Sequence, residues 1–361
     1  MKIFGIEQKD NTEKHDIKWW GWILLIILIV GTYFVYREQH PNTTNNGVSW
    51  TSAKTQKCEG MVFGTIYHIT YEAESDMQGE IEMVLQEVDN SLSPFNKESI
   101  ISAINDGRDT TVNEMFTDVF TLAEKIYKDT DGAFDITVAP LVNLWGFGFK
   151  NIKNVNEVKV DSLMTYVGLD KVQLKDRHIQ KSHKETMLDC GAIAKGYGVD
   201  AVGKFLEKNN VKNYMVEIGG EVRVRGKNPK GQLWKIGINK PVDDSLSLNR
   251  DIEQVLKISD LSMATSGNYR NFYIKGGKKY AHTIDPRTGY PVQHNILSST
   301  VIASDCATAD AYATSFMVLG LEESKKILER HKELMAFFIC AGENGETEEW
   351  MTDNIKEYIS E

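Results

Sequence analysis

One segment restricts the fold of this chain more than any other: residues 19–36, WWGWILLIILIVGTYFVY, run for eighteen positions without a charge. A helix of that length rises about 27 Å, close to the roughly 30 Å hydrocarbon core of a bilayer. Tryptophans gather at its start and tyrosines near its end, as in the aromatic belts of membrane-spanning helices. The alternative, a cleaved signal peptide, needs a shorter apolar run and a small-residue cleavage site, which this segment lacks. We predict an uncleaved single-pass anchor over 19–36.

The charges around this segment predict its orientation. Four lysines precede it within residues 1–18, whereas residues 37–56 carry one arginine and one lysine. Positive charge collects on the cytoplasmic side of membrane proteins, so we expect 1–18 to be a short cytoplasmic N-terminus. The rest of the chain would lie outside the cytoplasm. Residues 37–57 are polar and rich in Asn and Thr, which predicts a tether to a folded body over 58–361.

The composition excludes several classes of protein. The chain has 361 residues, 41% hydrophobic and 25% charged, which is typical of globular proteins and unlike disordered or fibrous ones. Residues 1–36 hold four basic and four acidic groups, so the net charge of −10 arises entirely after residue 36. An acidic body is a poor partner for nucleic acid.

The four cysteines, at 58, 190, 306 and 340, lack zinc-site spacing and are too few for a disulfide scaffold, and their pairing stays open.

The apolar pattern predicts helices and strands interspersed without a regular strand–helix–strand alternation, which favours an α+β fold. Helical spacing occurs near 78–92, 113–129, 192–209 and 308–319. Strands are expected near 61–72, 233–239, 297–303 and, as a pair bent at two glycines, 214–226. Residues 131–148 hold too many turn formers for one regular element, and the acidic tail 341–361 is expected to be a solvated end.

Two polar positions in ADAYATSFMVLG (309–320) are compatible with a magnesium site. Asp310 and Thr314 are four residues apart on a predicted helix, so both oxygens project from one face. A carboxylate with a hydroxyl suits Mg²⁺, which usually also keeps waters and substrate phosphates. The structural alternative is a carboxylate near a helix N-terminus with a threonine packed beside it.

Two further segments point to phosphate binding and proton transfer. In DCGAIAKGYGVD (189–200), Asp189 lies just before a predicted helix, and Lys195 lies within about the first turn of that helix. This arrangement suits a phosphate site at a helix N-terminus or, alternatively, an N-cap with a solvated lysine.

In AHTIDPRTGYPV (281–292), His282 and Asp285 flank a turn. Histidine suits proton transfer, although a histidine beside a turn is ordinarily structural or exposed. A P-loop and a dinucleotide-binding glycine fingerprint are absent from the sequence.

Taken in order, eight segments resemble the FAD:protein FMN transferase family, also called ApbE-type flavin transferases. They are FGT (63–65), LSPFNKESIISAIN (92–105), GAFDITVAPLVNLWGFG (132–148), DCGAIAKGYGVD (189–200), EIGGEVRVRG (217–226), TSGNYR (265–270), HTIDPRTGYPV (282–292) and ADAYATSFMVLG (309–320). The resemblance covers about 58–340 and implies a single large α+β catalytic domain behind the N-terminal transmembrane helix.

The resemblance also implies a reaction. Members of this family cleave the FAD pyrophosphate with Mg²⁺, attach FMN through a phosphoester to a Thr or Ser of an acceptor flavoprotein, and release AMP. FAD is then the substrate, Mg²⁺ the cofactor, and the acceptor a partner such as a subunit of a membrane redox complex. The implied location is the bacterial inner membrane, with the catalytic domain on the periplasmic side. A Mg²⁺-dependent FAD pyrophosphatase and a non-enzymatic FAD-binding protein are the alternatives.

By position, the resemblance assigns roles to individual residues. His282 matches the proposed base. The matches to Mg²⁺ ligands are Asp310, Thr314 and, through its carbonyl, Ala192. The matches to FAD contacts are Phe63, Phe95, Ala133, Phe134, Asp135, Asp189, Lys195 and Ile284. The chain departs from the family at Phe63, where Met is usual, at Phe95, where Tyr is common, and at Ala313, where some relatives have Asp. The first two changes imply altered flavin contacts. The third implies weaker metal binding.

Overall fold

An eight-stranded antiparallel sheet forms the centre of the computed structural model, which describes residues 53–149, 157–241, 252–268, 272–275, 278–342 and 346–360. The strands, numbered along the chain, are β1 Lys54–Val62, β2 Thr65–Ala73, β3 Val172–Lys175, β4 His178–Lys181, β5 Tyr214–Ile218, β6 Glu221–Arg225, β7 Trp234–Asn239, β8 Ile252–Ile258, β9 Leu261–Gly267, β10 Phe272–Lys275, β11 Lys278–Ala281, β12 Ile296–Ala303, β13 Met335–Ala341 and β14 Thr347–Met351. The order in the large sheet is β1-β2-β5-β6-β9-β12-β13-β14, while β3–β4, β7–β8 and β10–β11 form separate pairs.

The helices begin and end at residues that suit helix termini. They are α1 Gln78–Leu92, α2 Ile100–Asp106, α3 Glu114–Asp129, α4 Ala139–Trp145, α5 Glu157–Met164, α6 Ala194–Lys208, α7 Cys306–Leu319 and α8 Leu321–Arg330. Asn113 caps α3 and Asp305 caps α7 by accepting backbone N–H groups with their side chains. Gly107 ends α2 with a φ of 71°, a conformation that glycine adopts without steric conflict.

Different elements cover the two faces of the sheet. Helix α6 lies on β5 and β6, α7 lies on β9 and β12, and α1 packs against α6. On the other face, residues of the β7–β8 hairpin and the 3₁₀ helix Asp353–Tyr358 share an apolar cluster with β6 and β13. The predicted α+β class is confirmed, and residues Ala53–Glu361 form one compact unit.

Strand β6 presents charges to α6. Its sequence EVRVR alternates, so its two valines join the apolar cluster on the hairpin side, whereas Glu221 and Arg223 point towards α6. Both charged residues pair with side chains of that helix: Glu221 with Lys195, and Arg223 with Asp200. The strand therefore places a carboxylate directly beneath the predicted phosphate segment.

Several predicted boundaries were wrong. The strand expected over 61–72 is a hairpin, because Phe63 and Gly64 adopt φ values of 51° and 73° and turn the chain between β1 and β2. Strand β1 begins at Lys54, so the last residues of the predicted tether 37–57 belong to the sheet. The tail is not a solvated end, because β14 pairs with β13 and the apolar Ile355 is fully buried.

The predicted N-terminal segments 1–18 and 19–36, and most of the tether, lie outside the described residues. Within the part of the chain that is described, no helix is both long enough and apolar enough to cross a membrane. The anchor over 19–36 therefore stays a prediction.

Candidate active site

The N-terminal ends of α6 and α7 meet backbone to backbone, and this crossing assembles the site. Gly196 makes the close approach possible, because a Cβ at this position would overlap the backbone of Cys306 and Ala307. At the crossing, the Gly196 N–H donates to Oδ2 of Asp310 over 3.0 Å. The predicted phosphate segment and the predicted metal segment are therefore parts of one site.

A buried carboxylate on α6 holds the start of α7 in place. Asp200 accepts hydrogen bonds from the N–H groups of Cys306 and Ala307, at 3.0 and 2.9 Å. Its Oδ1 also accepts from the Arg223 guanidinium over 2.7 Å, so its charge is paired. Burial raises the pKa of Asp200, while these N–H donors and Arg223 act in the opposite direction. The contacts fix how α6 and α7 cross, and thereby where Asp310 lies.

Lys195 lies between two carboxylates. Its Nζ donates a hydrogen bond to Oε1 of Glu221 and lies 3.9 Å from Oδ1 of Asp310. Both carboxylates are buried, with Glu221 3% and Asp310 2% exposed. Burial alone would lower the pKa of Lys195, but the charges of Asp310 and Glu221 hold it above its usual range. Burial acts to raise the pKa of Glu221, and the neighbouring Lys195 ammonium acts to lower it. The Lys195 side chain is 31% exposed, but its ammonium group is paired with carboxylates, which the alternative of a merely solvated lysine did not foresee.

The residues predicted to hold Mg²⁺ offer oxygen donors that suit this ion. Thr314 lies one turn after Asp310 on α7, and its Oγ1 is 2.9 Å from Oγ of Ser266 on β9. In a continuous helix the Gly196 N–H would donate to the Ala192 carbonyl. It donates to Asp310 instead, so the Ala192 carbonyl accepts no hydrogen bond from the described residues. Within those residues, no three His, Cys, Asp or Glu side chains form a metal cluster. One carboxylate, one hydroxyl and one carbonyl fit a hard cation that keeps waters in its shell.

His282 belongs to a hairpin that backbone hydrogen bonds hold closed. The Asp285 N–H donates to the Tyr290 carbonyl over 2.9 Å, and the Val292 N–H donates to the Thr283 carbonyl over 3.1 Å. The predicted turn is present, because the Gly289 N–H also donates to the Asp285 carbonyl over 2.8 Å. His282 therefore lies at the open end of a hydrogen-bonded hairpin loop.

His282 contacts an aromatic ring, and the opposite arm of its hairpin lines a groove. Its imidazole contacts the Phe147 ring, with centroids 6.3 Å apart. The hairpin register places Gln293 opposite His282 on the other arm. Gln293 also lines a groove of about 570 Å³, together with Tyr290 and Val318. The groove therefore follows the hairpin arm opposite His282 and reaches the end of α7, and His282 itself is not one of its lining residues.

Four of the predicted FAD contacts are buried. They are Ala133, Phe134, Asp135 and Ile284, each no more than 6% exposed. The Asp135 carboxylate accepts hydrogen bonds from both the N–H and the hydroxyl of Thr137, at 2.7 Å each. Burial raises the pKa of Asp135 to about 6, although these bonds oppose the shift. Its carboxylate therefore stabilises its own loop.

The two predicted aromatic FAD contacts differ in exposure. The ring of Phe63 lies against α6, where a Cβ added to Gly198 would be 2.6 Å from its edge. Phe95 is 72% exposed, and its ring centroid lies 6.3 Å from that of Phe149. Phe63 thus lies beside the first turns of α6, whereas Phe95 offers an open ring face.

Asp189 does not cap α6, contrary to the structural alternative considered for it. The helix begins at Ala194, and its N-cap position is Ile193, which makes no side-chain cap. Asp189 instead accepts the Gly191 N–H over 2.8 Å, and burial raises its pKa. It organises the loop that leads to the Ala192 carbonyl.

Sequence reasoning missed four residues that shape this site, namely Asp200, Glu221, Arg223 and Ser266. For Glu221 and Arg223 the sequence carried a signal. EVRVR alternates charged residues with valine, so one face of the strand is charged, and charged residues seldom lie on a strand face that a helix covers unless they are paired. For Asp200 and Ser266 no local signal exists, since their partners lie 106 and 48 residues further along the chain.

Comparison with known proteins shows similarity along most of the chain. The model of the ApbE family matches residues 63–338. The FAD:protein FMN transferase of Haemophilus influenzae is 37% identical over 311 residues, which is 81% of this chain and 88% of that protein. The FAD:protein FMN transferase of Escherichia coli is 31% identical over 347 residues, 92% of this chain and 96% of that protein. The structure of the flavin transferase ApbE from Vibrio cholerae matches with a TM-score of 0.76 and 33% identity, covering 85% of this chain and 99% of that one.

Proposed function

The chain belongs to the ApbE family, and from that premise we propose that it is an FAD:protein FMN transferase that requires Mg²⁺. Relatives named for this transferase activity match over more than four fifths of the chain. The observation that carries the proposal is the meeting of Lys195, Asp310 and the start of α6 at one crossing. An ammonium group, a helix N-terminus and hard oxygen donors are together suited to a diphosphate with its metal ion.

The proposed reaction exchanges one phosphorus–oxygen bond for another. The hydroxyl oxygen of a Thr or Ser on the acceptor attacks the phosphorus on the FMN side of FAD. The bond from this phosphorus to the bridging oxygen breaks, and AMP leaves with that oxygen. The hydroxyl proton passes to the imidazole of His282. When bound, Mg²⁺ would neutralise charge on the diphosphate and on the departing AMP.

The residues of the chain have separate tasks in this proposal. Asp310, Thr314 and the Ala192 carbonyl would hold the metal ion, and Lys195 would offset phosphate charge at the start of α6. The remaining FAD contacts are assigned to Phe63, Phe95, Ala133, Phe134, Asp135, Asp189 and Ile284. Because Asp135 and Asp189 already bind their own loops, their contribution is to shape the pocket and present backbone groups.

We also propose where the enzyme works. The uncharged run 19–36 and the lysines before it support a single-pass anchor in the bacterial inner membrane, with the catalytic domain on the periplasmic side. An anchored transferase would reach acceptors that lie in or at the membrane, such as a subunit of a membrane redox complex.

The test is a labelling reaction with the full-length chain in detergent. The chain is incubated with FAD, Mg²⁺ and a candidate acceptor protein, and a denaturing gel is scanned for flavin fluorescence while AMP is quantified by chromatography. An acceptor whose target Thr or Ser is replaced by Ala is the matched control. We expect fluorescence on the intact acceptor alone, with AMP released in equal amount. AMP and free FMN with no labelled acceptor would identify a pyrophosphatase instead, and FAD binding with no AMP would identify a binding protein.

A further inference from the structure

Glu221 is a buried carboxylate to which the proposed reaction assigns no task. It begins β6 and is 3% exposed. Its Oε1 accepts a hydrogen bond from Lys195, whereas its Oε2 is buried and has no hydrogen-bond partner among the described residues. A buried polar atom left in this way requires an explanation, because desolvation without a partner destabilises the fold.

The charges around Lys195 suggest a task for this carboxylate. One ammonium group faces two buried carboxylates, so the cluster of Lys195, Glu221 and Asp310 carries one surplus negative charge. The lysine is shared unequally, because its Nζ is hydrogen-bonded to Glu221 but stands 3.9 Å from Asp310. Asp310 keeps its other oxygen on the Gly196 N–H. The two carboxylates therefore compete for one cation, and Glu221 holds it.

We infer that Glu221 is a positioning residue that keeps the Lys195 ammonium off Asp310, so that Asp310 remains available to a divalent cation. The inference rests on the proposed function, because it takes Asp310 as a metal ligand. Without the charge of Glu221, Asp310 becomes the remaining carboxylate within reach of Lys195. An ion pair between them would compete with Mg²⁺ for the same oxygens.

The experiment measures Mn²⁺ binding, as a substitute for Mg²⁺, to the full-length chain without FAD. Free Mn²⁺ is followed by its electron paramagnetic resonance signal. The wild-type chain is compared with Glu221→Gln, and Glu217→Gln is the matched control, since Glu217 belongs to the same hairpin but contacts His68 and Gly220 instead of Lys195. We expect Glu221→Gln to weaken Mn²⁺ binding about tenfold, because the Lys195 ammonium then competes for Asp310, and Glu217→Gln to change it less than about twofold.

A double-mutant cycle separates positioning from simple charge. In a Lys195→Met background there is no ammonium to hold, so adding Glu221→Gln is expected to weaken Mn²⁺ binding by less than about threefold. The same loss in both backgrounds, or no loss in Glu221→Gln, overturns the inference while leaving the metal site intact. A wild-type chain that binds Mn²⁺ no better than Asp310→Ala instead overturns the metal site of the proposed function.

A conservative variant covers the case in which Glu221→Gln does not fold, as judged by circular dichroism. Glu221→Asp keeps the charge but withdraws it from Lys195 by one methylene group. We expect this variant to bind Mn²⁺ about threefold more weakly than the wild type, because the lysine is held less firmly. Wild-type affinity in Glu221→Asp would show that position is immaterial and would overturn the inference.

Discussion

Among single side chains, His282 has the heaviest chemical task in the proposed reaction, in which it would remove the proton of the attacking hydroxyl. We predict that His282→Ala lowers the rate of FMN transfer by about 10²–10⁴-fold, the usual contribution of a general base. FAD affinity should stay within about threefold, since the imidazole contacts Phe147 and His282 is not one of the residues assigned to FAD binding. The rate is measured by acceptor fluorescence and the affinity by quenching of FAD fluorescence.

The control for this variant is His178→Ala. His178 is exposed at the start of β4, and its ring bonds only locally to the Asp176 carbonyl. Transfer at the wild-type rate is expected for His178→Ala. Wild-type transfer in His282→Ala would falsify the assignment of the base.

Asp310 is the side chain on which metal dependence should rest. We predict that Asp310→Asn lowers transfer by at least about 10²-fold and that the residual rate no longer responds to added Mg²⁺, because the charged ligand is lost. The fold should survive, since the Asn carbonyl can still accept the Gly196 N–H. The measurement is transfer rate against Mg²⁺ concentration.

Asp305→Asn is the matched control on the same helix. Asp305 caps α7 by accepting the Thr308 N–H over 2.9 Å, and Asn is an equally good N-cap. This variant should keep both the rate and the Mg²⁺ dependence. If Asp310→Asn retained a wild-type response to Mg²⁺, the metal would have to be held elsewhere.

At the scale of elements, the crossing of α6 and α7 depends on the absence of a side chain at Gly196. We predict that Gly196→Ala destabilises the protein by about 1–3 kcal/mol, the usual effect of overpacking, because its Cβ would displace the backbone of α7 at Cys306. Transfer should also fall, since the shift moves Asp310 away from Lys195. Urea unfolding followed by circular dichroism measures the first effect.

Gly79→Ala is the control for this variant. It tests whether the loss of stability arises from the contact between α6 and α7 or from replacing any glycine in a helix. Gly79 lies in the first turn of α1, where an added Cβ meets nothing within 4 Å. This change should be neutral or stabilise by up to about 1 kcal/mol. A similar loss of stability in both variants would mean that the contact with α7 is not responsible.

A second element-scale prediction concerns pH. His331 follows α8 and contacts Asp129 at the end of α3 and Glu333, at 3.0 and 2.8 Å. Burial acts to lower the pKa of His331, but the bonds to Glu333 and Asp129 outweigh it and the pKa is raised. The protonated form is therefore favoured by folding. Its stabilisation is complete below pH 6.5, the pKa expected for an unfolded histidine, and is lost as pH rises through the higher folded value.

We accordingly predict that the free energy of unfolding falls by on the order of 1 kcal/mol or less between pH 6 and pH 8 because of this cluster. In His331→Gln that part of the fall should disappear. The quantity to compare is the difference between wild type and variant at each pH, since other groups titrate equally in both. A difference that does not change with pH would mean that His331 has the same pKa in the folded and unfolded states.

At the scale of the whole molecule, the proposed anchor makes a prediction about location. The full-length chain should sediment with membranes and resist extraction by high salt or alkaline carbonate, because a long apolar helix inserts almost irreversibly. A chain that lacks residues 1–36 should remain in the soluble fraction while still labelling a soluble acceptor domain. Fractionation followed by immunoblotting measures this. Recovery of the full-length chain in the soluble fraction would contradict the anchor.

How far the fold could be predicted depends on how local its causes are. The helices near 78–92 and 113–129 were predicted within about a residue, because the apolar spacing lies inside the element itself. The same is true of the strand pair bent at Gly219 and Gly220. The hairpin turn at Phe63 was missed, because a non-glycine residue in the left-handed region carries little signal in the sequence. The buried tail was missed because its acidic composition hides Ile355.

Local patterns in the sequence predicted the longer helices, several strands, the α+β class and the carboxylate, hydroxyl and ammonium groups of the candidate site, since periodicity and turn chemistry act over a few positions. Which charges meet depends on the tertiary structure. Lys195 and Glu221 are 26 residues apart, and Gly196 and Asp310 are 114 apart. They are brought together because the sheet order puts β6 beneath α6 and β9 beneath α7, so that the two helices cross at a glycine. Contacts of that kind depend on strand order and close backbone approach, which no local pattern encodes.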